Sequence, residues 1–213
     1  GAQISGTNIL GIIFGRTKET LVVSAHFDHI GIINEQINNG ADDNASGVGG
    51  LLAAAAYFKK HKPGYTLIFA AFDAEEMGLQ GSKAFVANLS GNPVIIKLNL
   101  NMDMISHNDK GELYVCGTFT HPELKKYLTI NDAKIKLLTG HDNPKTGHDD
   151  WTDQSDQGSF NAKKIPFLYF GVEDHKDYHK PTDEYDTINK DFYIRAVKAI
   201  ITVINNYDKN ITL

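Results

Sequence analysis

Leu21-Val22-Val23-Ser24-Ala25-His26-Phe27-Asp28-His29 is the stretch on which the reading of the fold turns. Residues 21–25 are apolar at almost every position, the pattern of a strand covered on both faces. The run stops abruptly at a His-x-Asp-His cluster. In extended chain residues two apart face the same side, so Asp28 reaches the imidazole of His26 or its neighbourhood. A carboxylate bonded to a ligating histidine fixes its tautomer and raises its basicity. Taken alone, the pair is better explained as a surface His–Asp contact at a strand end, since such pairs are common.

The same grammar recurs along the chain. Residues 8–14 read as a strand joined by a Gly15-Arg16-Thr17-Lys18 turn to the one above, and residues 65–72 (YTLIFAAF), 94–100, 113–116 and 166–171 as further strands. Between them lie expected helices at 46–61, alanine-rich and apolar nearly all round and so mostly buried, at 82–89, at 122–128 with proline in its first turn, and at 190–207. Residues 30–39 and 139–157 read as loops, the second with a turn of helix. Strands alternating with helices predict a three-layer α/β/α sandwich around a mixed, mostly parallel sheet, built as a single domain over residues 1–213. Ligands collect at the carboxyl ends of the strands in such sheets.

Those ends carry the polar residues of interest. Asn39-Gly40-Ala41-Asp42-Asp43-Asn44-Ala45-Ser46-Gly47 puts two adjacent carboxylates in a loop of small residues before the first helix. Glycine lets backbone and ligand approach closely there, and a helix N-terminus favours the negative charge. Glu75-Glu76 follows the strand 65–72, and two acids at the mouth of a buried strand are costly to keep charged without a cation. Asp103, between Met102 and Met104, is an isolated carboxylate among apolar neighbours and needs a partner. His179 lies in a late polar loop. The reading is that Asp43 is a hub bridging two metal ions, which His26, the Glu75-Glu76 pair, Asp103 and His179 clamp from the other segments. Oxygen and nitrogen donors without thiolate suit zinc in an open site, with cobalt or manganese as substitutes. One acid of the Glu75-Glu76 pair would bind an ion and the other shuttle a proton. The remaining histidines receive no role, although His148 and His175 sit in functional-looking loops. Three Asn-x-Ser/Thr triplets, at Asn44, Asn88 and Asn210, receive no weight.

Composition narrows the classes. The 213 residues are 41% hydrophobic and 22% charged, enough for one substantial core. A net charge of −5 leaves no electrostatic footprint for nucleic acid. No apolar run approaches the roughly 18 residues of a membrane span. The single Cys116 excludes an internal disulfide framework.

SAHFDHIG, NNGADDNASGVGGLL, FDAEEMGLQGS, NMDMIS and YHKPTDEYDTIN, in this order and spacing, resemble the co-catalytic zinc aminopeptidases, metallopeptidase family 28, which includes secreted bacterial leucyl aminopeptidases. The likeness runs over residues 8–189. It implies a phosphorylase/hydrolase-like sandwich and two zinc ions. One would be held by His26 and Asp103, the other by Glu76 and His179, with Asp43 between them. It further implies Glu75 as general acid/base, Asp28 as the residue orienting the histidine ligand, and Tyr178 as a donor to the tetrahedral intermediate. The implied substrates are peptides with a free N-terminus, and the implied location is outside the cytoplasm. Rivals on the same fold are a carboxypeptidase, a dipeptidase or another amide hydrolase, and a non-catalytic binding module. Two departures stand out. Gln157 in Ser155-Asp156-Gln157 replaces a histidine usual in relatives, which bears on pocket shape, and the leading segment common in relatives is missing or short.

Overall fold

The computed structural model describes residues 5–89, 94–146 and 149–211. Its centre is β2 (Glu19–His26), every residue of which after Glu19 is buried. β2 lies between β5 (Thr66–Phe72) and β6 (Ile95–Met102), parallel to both. β9 (Phe167–Gly171) continues the parallel set beyond β6. The full sheet runs β1-β5-β2-β6-β9-β7-β8, with β1 (Ile9–Ile13) antiparallel on β5 and β7 (Glu112–Cys116) antiparallel on β9, while β8 (Lys136–Thr139) runs parallel to β7. The sheet is therefore mixed and mostly parallel at its core, as the apolar strands predict. β1 and β2, adjacent in sequence, do not pair, because β5 sits between them.

Alternation along β2 sorts its side chains into two layers. Leu21, Val23 and Ala25 pack with Leu51, Ala54 and Phe58 of α1 (Gly47–Lys60) and with Ala196, Ile200 and Val203 of α4 (Lys190–Asp208). Val22 faces the other way, with Phe72, Val86 of α2 (Gln80–Ala87) and Phe160 of α3 (Gln157–Asn161). Burying each such side chain is worth about 1.5–3 kcal/mol. α4 starts on Asn189, whose side chain accepts from the Phe192 amide at 3.1 Å, and its apolar stripe follows helical spacing. At its far end the Asp208 carboxylate accepts the Gly64 and Tyr65 amides at 2.8–2.9 Å, tying the helix to the start of β5.

Four local readings change. α1 is not buried all round: its stripe Gly47, Gly50, Leu51, Ala54 and Phe58 is covered, while Leu52 is 65% exposed. The loop 30–39 holds a short hairpin, β3 (Ile32–Ile33) with β4 (Gln36–Ile37). Pro122–Tyr127 is a 3-10 helix rather than an α-helix. The region 139–157 is bounded by β8 and α3, which its polar sequence conceals. On the α2–α3 side, a buried polar ladder crosses the sheet. Asn99 donates to Ser24 at 2.9 Å, Ser24 to Asn101 at 2.7 Å, and Asn101 to both Ser155 and Gln157 at 3.0 Å. Gln157 then donates to the Trp151 carbonyl at 2.7 Å. Both ends of its amide are used, so this residue fixes Trp151, a wall of the cleft described next.

Candidate active site

The carboxyl ends of β2, β5, β6 and β9 open into a cavity of about 360 Å3. His26 is the last residue of β2, and Asp103 follows β6, its amide extending the ladder to Phe170 of β9 at 3.0 Å. Glu75 and Glu76 come three and four residues after β5. Asp43 enters from the loop before α1, and Tyr178 and His179 from the loop after β9. All seven line this cavity.

Asp43 occupies the middle. Its Oδ1 lies 3.3 Å from His26 Nε2, which is itself 3.3 Å from Asp103 Oδ1. Its Oδ2 lies 3.0 Å from His179 Nε2, which is 3.4 Å from Glu76 Oε1. One carboxylate oxygen thus faces each histidine set. Burial alone would raise the Asp43 pKa, but His179, His26 and His29 hold it well below the usual carboxylate range. Burial works against charge on His26 also, and Asp103 with Asp28 and Asp43 overcomes it and raises that pKa. The hydrogen bond to Asp43 raises His179. Glu75, beside this set, is pushed up to about 9 by burial and by Asp103. Among the described residues, no lysine or arginine lines the cavity. Two oxygen–nitrogen sets, His26/Asp43/Asp103 and His29/Asp43/Glu76, each bring their donor atoms within 4.8 Å of one another.

Supporting residues hold this geometry. His26 Nδ1 faces the Asp28 carbonyl at 3.1 Å and its carboxylate at 3.6 Å, which leaves Nε2 for the cavity. The Asp28 carboxylate accepts the Glu75 amide at 2.9 Å and the Glu76 amide at 3.1 Å, so it also positions the acid pair. Tyr178 stacks on His179 with centroids 4.0 Å apart, and burial drives its phenol pKa upward. His179 holds a left-handed backbone, φ 54°, a conformation that costs of order 1–3 kcal/mol and persists where surroundings impose it.

Several participants were not visible in the sequence. Asp183 accepts the Asp42 and Asp43 amides at 2.9–3.1 Å and anchors the hub from 140 residues away. Asp42 turns from the cavity and accepts the Ser106 amide and hydroxyl, both at 2.7 Å, and His175 Nε2 at 3.1 Å. His175 therefore belongs to the scaffold. His29, given no role above, has Nδ1 3.1 Å from Glu76 Oε1. His148 lies outside the described residues, as does the hydroxyl residue of the triplets at Asn88 and Asn210. Asn44 is buried and bonded to Met102 and Gly47, which closes its triplet to modification. Cys116 is buried, and burial raises its thiol pKa.

Residues 8–204 match the model of Peptidase family M28. The chain belongs to that family. It is 34% identical over 114 residues to Aminopeptidase YwaD of Bacillus subtilis, covering 51% of this chain and 24% of the relative. It is 32% identical over 140 residues to Leucine aminopeptidase 1 of Uncinocarpus reesii, covering 62% and 34%. The fold superposes on that of BSAP, a zinc aminopeptidase from Bacillus subtilis, with a TM-score of 0.73 at 24% identity, covering 96% of this chain and 51% of that one. The chain thus spans a quarter to a third of the length of these curated relatives.

Proposed function

We propose that this M28 chain is a metallo-aminopeptidase that removes N-terminal residues from peptides, with Glu75 as its general base. The observation that carries the reading is Asp43, set with one oxygen toward His26 and Asp103 and the other toward His179 and Glu76. The donor set fits two zinc ions: Asp43, Glu76, Asp103, His26 and His179 supply oxygen and imidazole nitrogen without thiolate, and among the described residues no lysine or arginine lines the cavity beside their crowded carboxylates. When bound, paired divalent ions supply Lewis acidity, lowering the pKa of water toward neutrality and polarising a peptide carbonyl.

The chain's own residues do the rest. Glu75, free of the Asp28 contacts except through its amide, takes a proton and returns it to the leaving amine. Asp28 and Asp183 keep the acid pair and the hub in place by bonding their backbone amides. The Tyr178 phenol, held protonated by its surroundings, is available as a donor to the developing oxyanion. Trp151, Leu79, Met104, Tyr169 and Val172 add apolar surface to the cavity beside the donor set. Two likenesses support the reading further: aminopeptidases among the relatives, and the fold it shares with BSAP, a zinc aminopeptidase. We also infer an exported protein, on its resemblance to secreted bacterial members. No helix among the described residues is long and apolar enough to cross a membrane.

The test is hydrolysis of a peptide panel by the zinc-loaded protein, each peptide offered with a free and an acetylated N-terminus. Cleavage restricted to free amines, reduced roughly 10²–10⁴-fold in Glu75→Gln at unchanged zinc content, is the expected result. Cleavage of acetylated peptides from the other end would assign a carboxypeptidase instead. A chain that binds no zinc would sink the mechanism.

A further inference from the structure

We infer that His29 is a metal ligand, the fourth protein donor to the ion placed at Glu76 and His179; this rests on the two-ion reading above. Donors of His29, Asp43 and Glu76 lie within 4.8 Å of one another, and His179 Nε2 approaches the same two carboxylates. His29 Nδ1 lies 3.1 Å from Glu76 Oε1 and 3.7 Å from Asp43 Oδ2. His179 Nε2 lies 3.0 Å from Asp43 Oδ2 and 3.4 Å from Glu76 Oε1. Zinc bonds of about 2.0–2.2 Å put the corners of a tetrahedron about 3.3–3.6 Å apart. The four distances bracket that edge, and each histidine contacts the same two carboxylate oxygens.

The surroundings aim the ring at this point. His29 is three residues beyond the end of β2, and its side chain is 11% exposed. Its ring lies against Gly40, where an added Cβ would come within 2.8 Å of two ring atoms. Glycine at that position, with φ 61°, therefore makes room for the imidazole beside the hub. The His179 ring closes the other side, edge-on with centroids 5.8 Å apart. Nε2 is buried and has no hydrogen-bond partner, so no bond from behind sets the ring's orientation. What holds it is Nδ1, on the side of the two carboxylates.

The assignment makes the two positions unequal. His26, Asp103 and Asp43 supply three protein donors and leave a position open, as catalytic zinc sites do. His29, His179, Glu76 and Asp43 supply four, one protein bond more than the first position has. The His29 position should then fill first and empty last.

The experiment titrates the metal-free chain with Zn2+ against a chromophoric chelator, and records visible spectra of the Co2+-loaded form, for wild type, His29→Ala and His29→Asn. Asparagine keeps an N–H near the place of Nδ1 and can still hydrogen-bond Glu76, but it is a poor zinc ligand. Loss of an outer hydrogen-bond partner costs about 10–100-fold in affinity, so loss of a ligand should exceed about 100-fold. Both variants are expected to weaken the tighter of the two ions by more than that, leave the other within threefold, and alter the cobalt bands. Melting of the metal-free variants verifies that they fold; if alanine fails to fold, asparagine carries the comparison. Unchanged affinities and spectrum in either folded variant would overturn the assignment. Wild-type behaviour restored by asparagine alone would make His29 a positioning residue for Glu76 and also overturn it. Wild type taking up no zinc would instead remove the two-ion reading itself.

Discussion

Asp42 and Asp43 are neighbours in sequence and almost equally buried, yet they belong to regions of opposite character. Asp42 lies in a closed network: Ser106 donates to it twice, His175 once, and Asp183 holds its amide. Asp43 looks into an open cleft, where its neighbours are three imidazoles and further acids. A buried carboxylate with both oxygens answered by donors is scaffold. A buried carboxylate facing other carboxylates and imidazole nitrogens is placed to meet a cation.

The largest effect should come from the cleft side. Asp43→Asn is expected to abolish peptide cleavage and drop zinc below two ions per chain, measured by mass spectrometry, while the metal-free protein melts no lower than wild type. Asp42→Ala should do the reverse to stability. It leaves the Ser106 amide and His175 unanswered, a loss of about 3–5 kcal/mol in a denaturant titration. Equal destabilisation by the two substitutions would break the distinction.

A smaller effect follows from protonation in the cleft. In metal-free protein Glu75 sits at about 9, against 4.5 for an unperturbed glutamate, and buried Asp156 at about 7. Between those limits the folded state holds protons that the unfolded state has released, so stability falls as pH rises from about 5 to 9. The raised His26, His175 and His179 act in the same direction, while the lowered Asp28 and Asp43 contribute above the acid range and are lost below it. Glu75→Gln should flatten this slope. At pH 8 it should raise the melting temperature of metal-free protein by roughly 2–4 °C, what about 1 kcal/mol is worth in a chain of this size. A slope unchanged by the substitution would show that the cleft does not hold that proton. The smallest effect is expected far from either region. Leu52→Glu, on the open face of α1, should change stability by no more than about 0.5 kcal/mol, whereas a helix buried all round would not tolerate it.

The sequence by itself determined a good deal. Uninterrupted apolar strands such as residues 21–25 and 67–72 demand cover on both faces, and that requirement alone leads to a sheet between helical layers. Because ligand-type residues follow those strands, His26, Glu76 and Asp103 were legible as a group: a parallel sheet delivers its strand ends to one edge. The tertiary structure decided the rest. Sequence distance hides which side of a loop an acid faces, so nothing local separates Asp42 from Asp43, or tells that Asp183 clamps both from 140 residues away. His29 looked like any loop histidine, because its neighbours in space, Glu76 and His179, come from chain segments that meet only at the sheet edge. β8 and α3 were concealed for a related reason: a four-residue edge strand and a five-residue helix carry too few residues for a period to show, and their form is set by the β7 and β6 they pack on.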